Sequence, residues 1–322
     1  MWEEEGMMIR KVFHLTSGSI ILSALWILVF LSLIAFSLAA KSQAEIQWAR
    51  YATEKTKSKY LAWQGVVLGL REIYHPDNFY ENLGASKSIS YSIKDEEGKL
   101  NLNAFNLINI NVFLCFLEQC GVEEETSKII AFSLIDWIDI DETPSHQIYG
   151  AENSYYQALS QPGICKNLPF DSKEELLLVR GMTPEIFQKI KNHITLWPQQ
   201  GSLKINPDTA SEIILRSFAR SLTGNLARST IADADTLVGK IIEYRLKNEK
   251  NSFENSEQHI NIAQLDLNPQ EKSLILSLQP YWTKNSNYFS ISSYGVTLLG
   301  AKTFIETVIS KEDFFIVSWR RK

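Results

Sequence analysis

From Ile20 to Ala40 the chain reads IILSALWILVFLSLIAFSLAA, with no charge, proline or glycine. A bilayer core about 30 Å thick takes roughly 20 apolar residues in a helix. In lipid the backbone must satisfy its own hydrogen bonds, as a helix does. The run therefore predicts one spanning helix over about residues 20–40. A buried helix of a soluble core would normally keep a polar face, and this run has none. No second run of this kind follows, so the chain is expected to cross a membrane once. Arg10 and Lys11 precede the run and Lys41 and Arg50 follow it, so basic residues alone do not orient it. A secretory signal would end in a small-residue cleavage site behind its apolar part. Ala39-Ala40 could serve, but the run is too long for a typical signal core. Met7 or Met8 is the expected start, because MWEEEG is an odd opening for a basic leader.

Beyond the span, residues 41–74 contain no proline and mix Leu61, Val66, Leu68 and Leu70 with Lys55, Lys57, Lys59 and Arg71. This predicts that the spanning helix continues outward as an amphipathic one, ending at His75-Pro76-Asp77-Asn78. Ser88 to Lys94 alternates like a strand, Asp95-Glu96-Glu97-Gly98 reads as a turn, and Lys99 to Asn103 as a second strand. Together they predict a hairpin. Helical periodicity follows from about Asn106 to Trp137, broken near Gly121, and then an acidic loop from Asp139 to Tyr156. Thr183-Pro184, Asn206-Pro207 and Asn268-Pro269 each pair a capping side chain with proline at the first helical position. Each predicts a helix start. Strand signals return at Tyr288–Ser292, Gly295–Leu299 and Phe314–Trp319. An isolated hairpin is marginal, so the hairpin and the closing strands are expected to share one sheet on the long helix.

The formal net charge of −5 argues against a nucleic-acid binder, whose affinity comes largely from lysine and arginine neutralising phosphates. Cys115, Cys120 and Cys165 are too few for a disulfide scaffold. The densest chemistry lies in Asp136-Trp-Ile-Asp-Ile-Asp-Glu142 and Gly150-Ala-Glu152. Hard oxygen ligands gathered on a loop suit Ca²⁺, although the spacing is not that of an EF-hand. A solvated acidic turn is the plain alternative. Zinc is disfavoured, since only His146 offers nitrogen there. A carboxylate pair could also serve a hydrolase, but no partner motif accompanies it. Leu176 to Ile190 looks like a helix-hairpin-helix, which in other proteins binds DNA phosphates through backbone N–H groups. Residues 171–228 hold eight Lys/Arg against six Asp/Glu, and the segment is read as protein packing. A membrane-anchored DNA receptor stays as the alternative function.

Several segments, in order, resemble the minor pseudopilin K family of bacterial type II secretion systems. They are Ser17-Gly18 before the apolar run, Asp95 to Asn103, Leu134 to Asp141, Gly150 to Tyr155, Glu174 to Gly181, Ile205 to Ala210 and Trp319-Arg-Arg321. The resemblance implies a non-enzymatic assembly subunit with an α+β fold: a type IV pilin-like long N-terminal helix on an antiparallel β-sheet, with a large inserted mainly α-helical domain. It implies a prepilin leader at 1–18, an N-terminal helix at 19–75, β regions at 76–110 and 281–322, and the helical insertion at 111–280. Prepilin peptidase would cut after Gly18 and methylate Ser19. Most pseudopilins carry Glu at the fifth mature position, and subunit K characteristically lacks it, as Ser23 does here. A carboxylate inside a membrane is costly without a partner charge, and a subunit with nothing above it can omit it. Implied partners are minor pseudopilins of the I and J types, the peptidase and the inner-membrane secretion platform, with no nucleic acid and no small-molecule substrate. The chain would lie in the bacterial inner membrane with its C-terminal domain in the periplasm. The family also implies structural Ca²⁺, carried over to Asp139, Asp141, Glu152 and Asp136.

Overall fold

The computed structural model describes residues 2–75, 88–223, 229–249 and 260–321, with side chains described from Ser19 onward. Helix α1 runs from Trp2 to Tyr74, 73 residues, or about 110 Å at 1.5 Å per residue. Its apolar stretch is exposed along its length, Ile20, Leu28 and Phe36 included. Ser23 sits in that stretch, and its hydroxyl donates to the carbonyls of Ser19 and Ile20, both at 2.9 Å. This in-helix bonding keeps a polar side chain tolerable in an apolar setting. The expected helix stop runs into 76–87, outside the described residues, as is the first part of the 76–110 region.

The far half of α1 packs on a four-stranded antiparallel sheet of order β1-β4-β5-β6. The strands are β1 (Ile89–Asp95), β4 (Tyr288–Val296), β5 (Lys302–Ser310) and β6 (Phe315–Arg321). Ala62, Val66 and Ile73 of α1 meet Ile291, Ile305 and Ile309 in a small core. The helix comes unusually close to β4. A methyl at Gly295 would overlap the main-chain oxygen of Ser58 and nitrogen of Ala62, and one at Gly65 would overlap the Ser293 hydroxyl. Glycine here is a requirement of backbone approach.

Between β1 and β4 the chain builds a second, larger core. Phe113 and Phe116 of α2 (Ile110–Gln119), Ile130 and Leu134 of α3 (Glu124–Ile138), and Phe218 of α6 (Glu212–Ser221) are fully buried in it. Leu237 and Val238 of α7 (Ile231–Glu249) and Leu274 and Leu278 of α8 (Pro269–Leu278) join them. Gly121, with φ of +75°, turns α2 into α3. Helices α4 (Asn153–Gln157) and α5 (Pro184–Ile190) are short. Two expected proline starts form as read. Thr183 caps α5, accepting from the Ile186 N–H, and Asn268 caps α8 in a reciprocal box with Glu271.

Four expectations need correction. Asn206-Pro207 does not open a helix. Asn206 Oδ1 accepts from the Asp208 N–H at 3.0 Å, its Nδ2 donates to Asp95 and Ser286, and α6 starts later with Ser211 as its cap residue. Asparagine here serves a polar seam instead of a helix. The second strand, β2, covers only Leu100–Asn101 and does not pair with β1. It pairs in parallel with β3 (Ile194–Thr195), because Leu100 and Leu102 are pulled into the large core. That core therefore begins ahead of the expected start at 111. Gly295–Leu299 is not a separate strand, since β4 itself runs on to Val296 and a turn follows. The neighbour of β4 on this side is β5, which pairs with it along its whole length.

Asp95 joins the two regions. Its carboxylate accepts from the Glu97 N–H at 2.8 Å, Asn206 Nδ2 at 3.1 Å, Thr209 Oγ1 at 2.6 Å and Ser286 Oγ at 2.5 Å. Arg320 of β6 adds a bidentate pair to Glu174, both contacts 2.8 Å. The bidentate fork is the strong form of such pairs.

Candidate metal centre

The site forms where α3 ends. Asp136 lies in the last turn of α3 and is fully buried. Its Oδ1 accepts from the Ser145 N–H at 2.7 Å and its Oδ2 from the Ala151 N–H at 2.5 Å. One side chain thus folds the acidic loop back over the helix end. A Cβ at Gly150 would overlap Asp136 Oδ2, so glycine is required for this approach. Ser133 Oγ donates to the Tyr149 carbonyl at 3.0 Å. From the other side, Arg180 Nη1 donates to the carbonyls of Ile148 at 3.2 Å and Gly150 at 2.9 Å, and its guanidinium lies 4.7 Å over the Tyr155 ring.

Within this frame, Asp136, Asp139 and Glu152 place one carboxylate oxygen each within 4.8 Å of one another. Glu152 is 2% exposed, yet neither of its oxygens meets a donor, and Asp139 Oδ1 is likewise buried and unpartnered. Burial, reinforced by the neighbouring carboxylates, pushes Glu152 up to about 7 and Asp139 up to about 6. A buried acceptor without a donor is expensive, and like charges this close disfavour joint ionisation. One divalent cation would relieve both costs, so the residues present fit a hard-cation site.

Asp141 behaves differently from the other three expected ligands. It is exposed, its Oδ1 accepts from the Thr143 N–H at 2.7 Å, and it stands outside the three-carboxylate cluster. The Asx-turn bond occupies it. Asn167 lies outside the acidic motif in sequence. Its Oδ1 is buried without a partner, and its Nδ2 donates to the Asp141 carbonyl at 3.1 Å. No local motif announced it, because it reaches the loop from a distant segment.

The other singled-out residues are plainer. Gly18 and Ser19 lie inside the continuous helix α1. The hairpin-like segment is a 3₁₀ turn over Lys173–Leu178 followed by α5. Gly181, with φ of +84°, sits between them with its Cβ position 2.9 Å from the Ile129 side chain. The turn packs against α3, as a protein contact would. The three cysteines are free, and burial pushes Cys115 and Cys120 up to about 11 and Cys165 up to about 12, so none is a ready thiolate.

Residues 98–199, which contain the whole site, match the family model described as type II secretion system (T2SS), protein K. A putative type II secretion system protein K of Escherichia coli K12 is 24% identical over 220 residues, covering 65% of this chain and 63% of that protein. The type II secretion system protein K of Klebsiella pneumoniae is 24% identical over 184 residues, 54% of this chain and 52% of that one. The chain thus spans less than two thirds of the length of these relatives. Among solved structures, the crystal structure of the GspK-GspI-GspJ complex from the enterotoxigenic Escherichia coli Type 2 Secretion System contains a chain of the same fold. The TM-score is 0.57 at 17% identity, covering 88% of this chain and 99% of that one. Residues 98–199 are thus similar to type II secretion system protein K in sequence, and the chain shares the fold of the solved complex's matching chain.

Proposed function

We propose that the chain is a minor pseudopilin of a type II secretion system, a structural subunit without turnover that helps start pseudopilus assembly at its tip. The observation that carries the reading is the combination of two parts. A helix with an exposed apolar half lies on a small antiparallel sheet, and the helical domain that matches protein K is inserted between β1 and β4. A spanning helix whose outer half is fixed to a folded domain can be anchored in the inner membrane first and drawn into a filament later. The inserted domain is too wide to sit within a shaft of packed helices, which favours the end position. I- and J-type minor pseudopilins are the proposed neighbours, and the domain after the span is proposed to face the periplasm. Prepilin peptidase is the proposed processing enzyme, removing residues 1–18 and methylating Ser19.

The same reading gives the acidic loop a structural Ca²⁺ held by Asp136, Asp139 and Glu152. The ion would supply charge compensation and oxygen coordination. The protein supplies the rest: Asp136 shapes the loop, Arg180 clamps its carbonyls, and Glu152 offers two free oxygens.

Mass spectrometry of the membrane-extracted chain, from cells with active prepilin peptidase, tests the reading. A mature N-terminus at methylated Ser19 is expected, and its loss in Gly18→Ala. An uncleaved chain in those cells sinks it.

A further inference from the structure

We propose that Asn167 is a further ligand of the cation site, its side-chain Oδ1 facing the ion while its Nδ2 holds the Asp141 loop in place. The proposal rests on the cation reading above and concerns a residue that neither the acidic motif nor the carboxylate cluster contains.

The amide's orientation follows from its neighbour. The Asp141 carbonyl can only accept, so the atom facing it at 3.1 Å must be the amide nitrogen. The other end is then the oxygen, which is buried and meets no donor. Three oxygens of the carboxylate cluster share that condition: Asp139 Oδ1 and both oxygens of Glu152. Acceptors gathered without donors are what a cation satisfies and what water or protein N–H groups leave costly.

The segment carrying Asn167 runs along the site. Cys165 Sγ lies 3.4 Å from the Asp136 carbonyl and 3.9 Å from that of Ala151, and the Cys165 N–H donates to Asn153 Oδ1 at 2.9 Å. The backbone is shaped for the task as well. Asn167 has φ of +48°, a left-handed conformation that asparagine tolerates far better than most residues.

The residue type fits the chemistry. Calcium takes about six to eight oxygens and mixes carboxylates with amide and main-chain carbonyls. Asp136 already spends lone pairs on two N–H groups, so three carboxylates alone leave the shell short. A neutral oxygen extends it without adding a fourth like charge. The clamp on Asp141 adds an order to the loop that the Asp141 side chain, tied to Thr143, does not provide.

Calcium titration of the full-length chain in detergent micelles, by calorimetry with parallel thermal unfolding, tests this with Asn167→Gly and Asn167→Asp. Glycine keeps the left-handed backbone and deletes the ligand. Its calcium affinity is expected to fall by about tenfold or more, with a slightly lower calcium-free Tm from the lost Asp141 contact. The aspartate variant is expected to have a lower calcium-free Tm, because it adds like charge and loses the Asp141 contact, and to regain it when calcium binds. An unchanged affinity in Asn167→Gly, with or without a lower calcium-free Tm, overturns the proposal and leaves the three-carboxylate site standing. A wild-type chain that binds no calcium overturns the cation reading itself.

Discussion

The two regions hold together by opposite means. Among the described residues, the helix-on-sheet region has a core of six buried apolar residues and depends on closeness, with glycines letting α1 and β4 touch backbone to backbone. The inserted domain has a core several times larger, rich in phenylalanine, and its functional loop is fixed by side-chain bonds to main-chain groups. At Gly65 and Gly295 the first region leaves no room for an added methyl. Asp95 and the Arg320–Glu174 pair form the seam between the two regions.

The largest effect belongs to the large core. Phe116→Ala removes a fully buried ring beside Phe113, 6.1 Å away between centroids, and is expected to cost about 3–5 kcal/mol. Denaturation should show the loss in the helical domain, while protection of the β4–β5 amides from hydrogen exchange persists. Gly295→Ala is expected to do the reverse at about 1–3 kcal/mol. The added methyl meets main-chain atoms of Ser58 and Ala62 that cannot rotate aside, so exchange should rise in α1 and β4 and not in α2 or α6. If both variants loosen both regions equally, the division between them is wrong.

Next comes the loop. Asp136→Ala strands the Ser145 and Ala151 N–H groups, each worth about 1–3 kcal/mol when buried without an acceptor. It should unfold more easily with or without calcium. Calcium at about 100 times its Kd should stabilise the wild type by about 2.7 kcal/mol and leave Asp136→Ala unmoved. A thermal shift equal in both would remove Asp136 from the site.

These contrasts explain what the sequence could disclose. The apolar span, the alternation of β1 and the caps at Thr183 and Asn268 are local signals, readable without tertiary knowledge. Three of the four expected ligands came together because the acidic motif marks a helix end and a following loop. The failures are non-local. β5 buries Thr303, Ile305, Thr307 and Ile309 while Phe304, Glu306 and Val308 on its other face are half-buried. Threonines inside and apolar residues on the half-buried face blur the period-two pattern. β2 found its partner at Ile194, and Asn206 was claimed by Asp95, both choices made by the packing of distant segments. Asn167 was invisible for the same reason.

The last contrast is the pH dependence of the calcium-free chain. Unfolded carboxylates titrate near 3.9 for Asp and 4.3 for Glu, whereas burial and neighbouring carboxylates raise Asp139 to about 6 and Glu152 to about 7 in the fold. Between these values the folded chain holds protons that the unfolded chain has released. Stability therefore falls as pH rises: it is fully present below about pH 4 and is lost through about 6 to 7. The helix-on-sheet core holds no such cluster among the described residues, so hydrogen exchange should place the loss in the inserted domain alone. Glu152→Gln removes the proton-holding group while keeping its shape. It should raise the calcium-free Tm at pH 7.5, flatten the decline between pH 5 and 7.5, and abolish the gain from calcium. A variant that is less stable than the wild type at pH 7.5 without calcium would mean that Glu152 is already satisfied in the fold, and the cation site would lose its strongest support.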